Sequence, residues 1–245
     1  MSSISVLAPI KIINDKQFKT FSNCLNSYVN LIKSENVELI VANESVGGFK
    51  EMVRNKFLEI RNDTTFIAKN GFVNSVRGLI EKSKNKYIVF FLDDVELLFD
   101  EKGFHDSIEV MEKNKEVVQV KFGGGKIYKS NQKQKLEYRN THTPIKINDN
   151  TIWLCDNIYE DNKHLISQWN SITRSDLIKE LDSEYVGGSK DWDSYVVEMS
   201  KIFINKGYDL KTRTGWLNLR CGLYAWGRTN KTLKEHKELY DSNNR

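Results

Sequence analysis

The chain has 245 residues, of which 39% are hydrophobic, 11% aromatic and 29% charged, a profile that can bury a real core and is too aromatic for a disordered chain. Thirty-seven basic against 33 acidic residues leave a formal charge of +4, which suits a solvated surface or mild attraction to an anionic substrate or membrane surface. It falls short of the basic stripe that nucleic-acid binding needs. No apolar run approaches the ~20 residues of a membrane helix, and the stretch from Met1 to Val6 has no signal-peptide layout, so the cytoplasm is the expected compartment. Cys24, Cys155 and Cys221 are far apart without a CxxC pair, and His105, His142, His164 and His236 are equally scattered, which argues against a zinc site or a disulfide framework.

In chain order, Ser3–Pro9 reads as a short apolar strand stopped by proline. Phe18, Phe21, Leu25, Tyr28, Val29 and Ile32 recur at three- and four-residue spacing and predict an amphipathic helix. Val37–Ala42 is a second buried strand, broken by Gly47-Gly48. Phe49, Met52, Val53, Phe57 and Ile60 then give a second helix. Thr64–Ala68 is a β-branched and aromatic strand, Asn70-Gly71 turns the chain, and Phe72, Val73, Val76, Leu79 and Ile80 give a third helix. The strand Tyr87–Leu92 follows, six apolar or aromatic residues buried on both faces. This alternation predicts an α/β fold with a mainly parallel sheet and helices on both of its faces. Pro9 and Pro144 are the only prolines, so no proline-rich linker divides the chain, and no internal repeat is visible.

The second half is less regular. Phe104–Lys113 reads as a helix and Val117–Phe122 as a strand running into Gly123-Gly124-Gly125, a turn that lacks the Lys-Ser/Thr of a P-loop. Lys129–Asn150 is polar and reads either as a loop that orders over bound ligand or as a pair of edge strands. Ile166–Thr173 is a returning strand and Ser175–Leu181 a short helix. Trp192, Val196, Met199 and Phe203 share one face of a further helix, and the residues after Arg228 read as a charged, weakly amphipathic helical tail.

Two constellations carry chemistry. The strand Tyr87–Leu92 ends abruptly in Asp93, Asp94 and Glu96. Adjacent carboxylates repel unless donors or a cation neutralise them, and hard oxygen ligands at a sheet rim suit Mg²⁺ or Mn²⁺ carrying a diphosphate. The bland alternative is a solvated strand end or an N-cap. The second is Gly187-Gly188-Ser189-Lys190-Asp191-Trp192-Asp193, where glycines permit a tight turn and Asp191 and Asp193 sit at a helix start that favours ionised carboxylate. An ionised Asp aimed into a cleft can serve as general base toward a hydroxyl, whereas simple capping with Trp192 as a core anchor needs no ligand. Trp153, Trp169, Trp216 and Trp226 could stack on sugar rings, although core packing accounts for most tryptophans.

The order of these features, from residue 3 to about 215, resembles a GT-A-fold glycosyltransferase of the family 2 type. Ser5-Val-Leu-Ala-Pro9 resembles the opening strand, Cys24-Leu-Asn-Ser27 the first helix, and Glu38–Ser45 the second strand. Asn70-Gly71 resembles the turn before the third helix, Tyr87–Glu96 the strand with its DxD-type motif, and Gly187–Asp193 the "GG…EDwD" segment. Departures are visible. Ala42 stands where the nucleoside-contacting acid is usual, leaving Asn43 or Glu44 as substitutes. Asp94-x-Glu96 replaces a literal DxD, Lys190 replaces a Glu, and Arg77 occupies the third-helix position.

The resemblance implies one GT-A domain over residues 1–228, with a nucleotide-sugar half (1–100) and an acceptor half (101–228), and a tail at 229–245. It implies a metal-dependent, inverting transfer of sugar from a nucleotide-diphosphate-sugar to a glycan or other hydroxyl acceptor. Pro9, Asn43, Glu44, Arg77 and Asp93 would meet the donor, and Asp94 and Glu96 would hold Mn²⁺ or Mg²⁺. Asp191 would be the base, with Gly188, Trp192 and Asp193 toward the acceptor. A sugar nucleotidyltransferase is the first rival, but it would want a Gly-rich basic loop where Ala8-Pro-Ile-Lys-Ile-Ile-Asn14 has no glycine. A non-catalytic carbohydrate-binding domain of the same fold is the second, opposed by retention of both acid clusters.

Overall fold

Strand β1 (Ile4–Ile10) is buried at every position, as the apolar run requires. A computed structural model describes it together with the rest of residues 3–68, 71–98, 101–122, 142–148, 150–155, 171–187, 191–208, 211–217 and 223–225. Helix α1 (Asp15–Ser27) starts where the Asn14 side chain accepts from the Gln17 amide at 2.9 Å, and the Gln17 side chain accepts from Ile13 N at 2.9 Å. The single helix expected over Phe18–Ile32 is two, because Tyr28 closes α1 and a second short helix, α2 (Val29–Lys33), follows. Then come β2 (Val37–Asn43), α3 (Phe49–Ile60), β3 (Thr65–Ile67), α4 (Phe72–Lys82) and β4 (Tyr87–Phe90). The described remainder adds β5 (Val95–Leu97), α5 (Lys102–Lys113), β6 (Val117–Phe122), β7 (His142–Ile147) and β8 (Asn150–Cys155). It ends with β9 (Ser171–Arg174), α6 (Ser175–Ser183), α7 (Trp192–Asn205), β10 (Arg213–Leu217) and β11 (Leu223–Ala225).

Nine strands form one sheet in the order β3-β2-β1-β4-β9-β6-β10-β8-β7, and β5 pairs with β11 in a separate two-stranded ribbon. β9 is antiparallel to both β4 and β6, and β8 is antiparallel to both β10 and β7. All the other strands, seven of the nine, therefore run the same way. The fold is a single α/β domain with a mixed, mainly parallel sheet. On one face α1, α2, α3 and α5 bury Phe21, Leu25, Ile32, Phe57 and Met111; on the other α4, α6 and α7 bury Val76, Leu79, Ile178, Met199 and Phe203.

Pro9 does not stop β1, which continues to Ile10. Leu7 O accepts from Phe91 N at 2.9 Å and Ile10 O accepts from Glu44 N at 2.8 Å, so alternation turns the Pro9 nitrogen toward the β4 side. The last residue of β4 in register with β1 is Phe90, opposite Leu7, so no partner there requires the missing N–H. Of the polar stretch Lys129–Asn150, the segment from His142 on belongs to the edge hairpin β7–β8, so there the edge-strand reading holds and the loop reading does not. Buried Asp106 of α5 fastens that hairpin by accepting from Asn148 Nδ2 and, at 2.6 Å, from Asn150 Nδ2. Residues 123–141, the Gly triplet included, and the tail 229–245 lie outside the described residues.

Candidate active site

The chain reverses its direction of travel across the sheet between β1 and β4. From β1 it moves outward to β2 and β3, then crosses back to β4 on the other side of β1. The crevice beyond the carboxyl ends of strands at such a switch point is where open α/β sheets bind ligands. Pro9 and the loop after Phe90 lie at this edge.

An aromatic nest fixes that loop. Phe91 is fully buried, and its ring meets Tyr28 at 5.0 Å, Phe57 at 6.0 Å and Phe21 at 6.1 Å, each edge-on. Val95 N then donates to Leu92 O at 3.3 Å, so Asp93 and Asp94 occupy the corner of a tight turn. Both are half-buried. Burial first, and then the Asp94 carboxylate, push the Asp93 carboxyl up to about 7, against the pull of a backbone hydrogen bond. The same acids reach under α1: burial, then Glu96, Asp94 and Asp93, raise the Cys24 thiol far above its ordinary value, so that buried cysteine is no thiolate.

Glu96 departs from the expected Asp94–Glu96 pairing. It sits within β5, opposite Tyr224 of β11, and is only 7% exposed. The accessible carboxylates are therefore the adjacent Asp93 and Asp94. They fit a divalent cation: they are hard oxygen donors, their mutual repulsion would be relieved by positive charge, and one or two carboxylates plus substrate phosphates are the usual protein share of a Mg²⁺-type site. Among the described residues no three His, Cys, Asp or Glu side chains converge on one point.

At the end of β2, Ala42 is buried and the two polar residues after it diverge. Asn43 Nδ2 donates to Lys50 O at 2.8 Å and its Oδ1 accepts from Ser45 N at 3.1 Å, an Asx turn that commits the amide to the start of α3. Glu44 reaches across to α4, where its carboxylate accepts from the Ser75 hydroxyl and, at 3.3 Å, from Gly71 N. Gly71 precedes the helix at φ +86°, a conformation that favours glycine, and the positive end of α4 favours the Glu44 charge. Sequence reading named Glu44 but had no signal for Ser75, which an ordinary helical serine pattern hides.

Arg77 of α4 is placed differently from the donor contact expected of it. Its Nε donates to Asp182 Oδ1 of α6 at 3.0 Å and its guanidinium lies 5.2 Å over the Tyr185 ring. The charge is spent between two helices.

The second acid cluster lies at the same sheet edge. β9 ends with Arg174 opposite Tyr87, the first residue of β4, so α6 starts at the amino edge of the parallel strands and climbs toward the carboxyl edge. α7 returns the chain to Arg213, which pairs with Val117 at the start of β6. Its N-terminus therefore faces the carboxyl edge, with α7 packed on the sheet face opposite the aromatic nest. Asp191 is the N-cap of α7: its Oδ1 accepts from Ser194 N at 2.8 Å and from Ser194 Oγ at 2.7 Å. Capping and basicity are compatible, because a carboxylate offers two oxygens and about four lone pairs. Gly187 turns the chain at φ +101° just before. Gly188 and the side chains of Trp192 and Asp193 lie outside the described residues.

No family model matches the chain, and no curated protein matches it by sequence. Solved structures do match it. TarS of S. aureus superposes over 91% of this chain and 36% of its own length, with a TM-score of 0.59 at 16% identity. TarS residues 1–349 in complex with UDP-GlcNAc covers 96% of this chain and 60% of its own, with a TM-score of 0.58 at 15% identity. The glucosyl-3-phosphoglycerate synthase of Mycobacterium tuberculosis, in complex with Mn²⁺, UDP and glucosyl-3-phosphoglycerate, covers 98% and 76%, with a TM-score of 0.54 at 12% identity. The chain thus spans between 36% and 60% of these two TarS chains. The architecture is the GT-A fold that these solved structures share.

Proposed function

We propose that this protein is a divalent-cation-dependent, inverting glycosyltransferase that moves a sugar from a nucleotide-diphosphate-sugar to an acceptor hydroxyl. The observation that carries the reading is the half-buried Asp93–Asp94 turn at the switch-point crevice beyond β4; the Asp191 cap of α7, whose start the topology orients toward the same sheet edge, supports it. The solved structures with this fold include one holding UDP-GlcNAc and one holding Mn²⁺ and UDP, which supports a nucleoside-diphosphate donor and a cation here. Among the described residues no helix is long and apolar enough to cross a membrane.

In this reading Asp94 and Asp93 hold Mn²⁺ or Mg²⁺, which when bound neutralises the diphosphate leaving group. The rigid aromatic nest under Phe91 keeps the two carboxylates at the switch-point crevice. Glu44, anchored on the first turn of α4, faces the nucleoside side in place of the acid missing at Ala42. Asp191 accepts the proton of the acceptor hydroxyl as that oxygen bonds to the anomeric carbon and the bond to the diphosphate oxygen breaks. Attack comes from the face opposite the leaving group, so the anomeric configuration inverts. The proton ends on Asp191 and the electron pair on the diphosphate.

Asp191→Asn tests this cleanly, because Asn caps a helix as well as Asp and leaves α7 in place. Turnover should fall by a factor on the order of 10² or more with donor affinity nearly unchanged, as loss of a general base requires. Near-normal turnover of this variant on a true acceptor would move the base elsewhere, with Asp193 next in line.

A further inference from the structure

A part-buried polar tie joins helix α4 to the first turn of α7. Asp182, the penultimate residue of α6, is its hub. Its Oδ1 accepts from Arg77 Nε at 3.0 Å and from the Tyr195 hydroxyl at 2.8 Å, and its carbonyl accepts from the other end of the Arg77 guanidinium at 3.4 Å. Tyr185 lies beneath that guanidinium and packs edge-on against Tyr195, with ring centroids 5.1 Å apart. Tyr195 is fully buried and the Asp182 side chain is 14% exposed, so the hydroxyl-to-carboxylate bond is shielded, whereas the Arg77 side chain, 37% exposed, reaches solvent. Tyr195 stands one turn after the cap, and its amide donates to Asp191 O at 3.2 Å.

Apolar packing already seats α7, through Val196, Met199 and Phe203. Such packing is non-directional and would accept a phenylalanine at 195 without loss of area. A hydroxyl-to-carboxylate bond is directional and fixes the rotation of the helix start. A part-buried ionic network of this sort adds little net stability. What it supplies is geometry, and the group whose geometry it sets is the turn that carries Asp191.

We propose that Arg77, Asp182 and Tyr195 are positioning residues that hold the first turn of α7 in register with the donor half, so that they set turnover and leave donor affinity alone. The proposal rests on the reading of Asp191 as base. Because misplacement of about 1 Å can cost on the order of 10²-fold in rate, Tyr195→Phe is expected to lower kcat about tenfold.

The experiment measures kcat and donor KM for UDP-GlcNAc hydrolysis with Mn²⁺, together with amide hydrogen exchange, in wild type, Tyr195→Phe, Asp182→Ala, Asp182→Asn, Asp191→Asn and Tyr195→Phe/Asp191→Asn. Glu112→Gln, which loosens a tie on the far side of the sheet, is the control. Tyr195→Phe and Asp182→Ala should lower kcat with KM within about twofold of wild type, since a positioning contact acts in the transition state and not in ground-state binding. Asp182→Asn should recover part of the loss, and Tyr195→Phe should add nothing in the Asp191→Asn background. Exchange at Ser194 and Tyr195 should quicken in both single variants while Met199–Phe203 stays protected. Unchanged kcat, a loss appearing in KM instead, or unchanged exchange at Ser194 and Tyr195 would each overturn the tie; the exchange result holds even if this donor is not hydrolysed. If Asp191→Asn turns over normally, the base reading fails, while an isolated kcat loss in Tyr195→Phe still upholds the tie, acting on another group of that turn.

Discussion

The two halves of the sheet are held together by different means. In the first half β1 lies between β2 and β4, all three parallel, with β1 and β2 matched over seven consecutive residue pairs and an aromatic nest closing one face. In the second half antiparallel returns, β9 and β8, are threaded between strands that run with β1. There apolar packing of β6, α6 and α7 is supplemented by polar hubs: Asp106 on the edge hairpin, and Asp182, which ties α6 and α7 to α4. Continuous apolar strands are hard to perturb except where one side chain gathers several contacts. Edges that hang on hubs should respond locally to the loss of one side chain. The contrast suits the proposed chemistry, in which the diphosphate site must be rigid and the acceptor side can vary on the same frame.

Phe91 gathers three ring contacts. Phe91→Ala should cost about 3–5 kcal/mol in chemical denaturation, because the surrounding rings cannot all collapse into the space left. Nucleoside-diphosphate affinity should fall with it, since the Asp93–Asp94 turn loses its floor. A loss under 1 kcal/mol would mean the nest is not what fixes the first half.

Hub loss comes next. Asp106→Ala removes the acceptor of both Asn148 and Asn150 and should cost about 1–3 kcal/mol, with faster amide exchange confined to β7 and β8. Exchange spread evenly through the sheet would break the distinction between hub-held edges and continuous strands.

Removal of the α7 cap is smaller. Asp191→Ala should destabilise by about 1 kcal/mol while Asp191→Asn stays near wild type, so the two variants separate the structural role of Asp191 from its proposed chemical one. Equal stability of all three would show that Ser194 needs no cap partner.

The smallest effect is a pH dependence. Glu112 accepts from Lys86, Lys115 and the Tyr87 hydroxyl, which together hold its carboxyl well below the usual carboxylate range. A lowered native value means the stabilisation is fully present above the unfolded value of about 4.3 and is lost progressively as pH falls from there through the lowered native value. The group is largely solvent-facing, so the gain is no more than about 1 kcal/mol. Wild type and Glu112→Gln should therefore differ at pH 7, with the gap narrowing steadily as pH falls below about 4. A gap that widens on acidification would contradict the sign.

Much of the first half was legible because its signals are local. Period-four spacing of Val53 and Phe57 marks α3, and the apolar run Tyr87–Leu92 ending in acids marks both β4 and the candidate site. Local signals misplace what tertiary pairing decides. Phe91 and Leu92 are as apolar as any strand residue, yet the chain leaves the sheet after Phe90. β5 is three residues long and exists by pairing with β11, more than a hundred residues on, which no window of sequence can see. That pairing also withdraws Glu96 from the rim. Arg77 reads as a ligand contact on resemblance alone, because its partner Asp182 lies 105 positions away. Asp191 was readable as a helix start, and the capping bond to Ser194 bears that part out.

The account turns on a donor site organised by the Asp93–Asp94 turn. Titration calorimetry of UDP into the protein, with Mn²⁺ and then with EDTA, for wild type and Asp94→Asn, tests it most directly. The account predicts that Mn²⁺ tightens UDP binding to wild type and that Asp94→Asn abolishes the gain. Equal UDP affinity with Mn²⁺ and in EDTA, or an undiminished Mn²⁺ effect in Asp94→Asn, would contradict it.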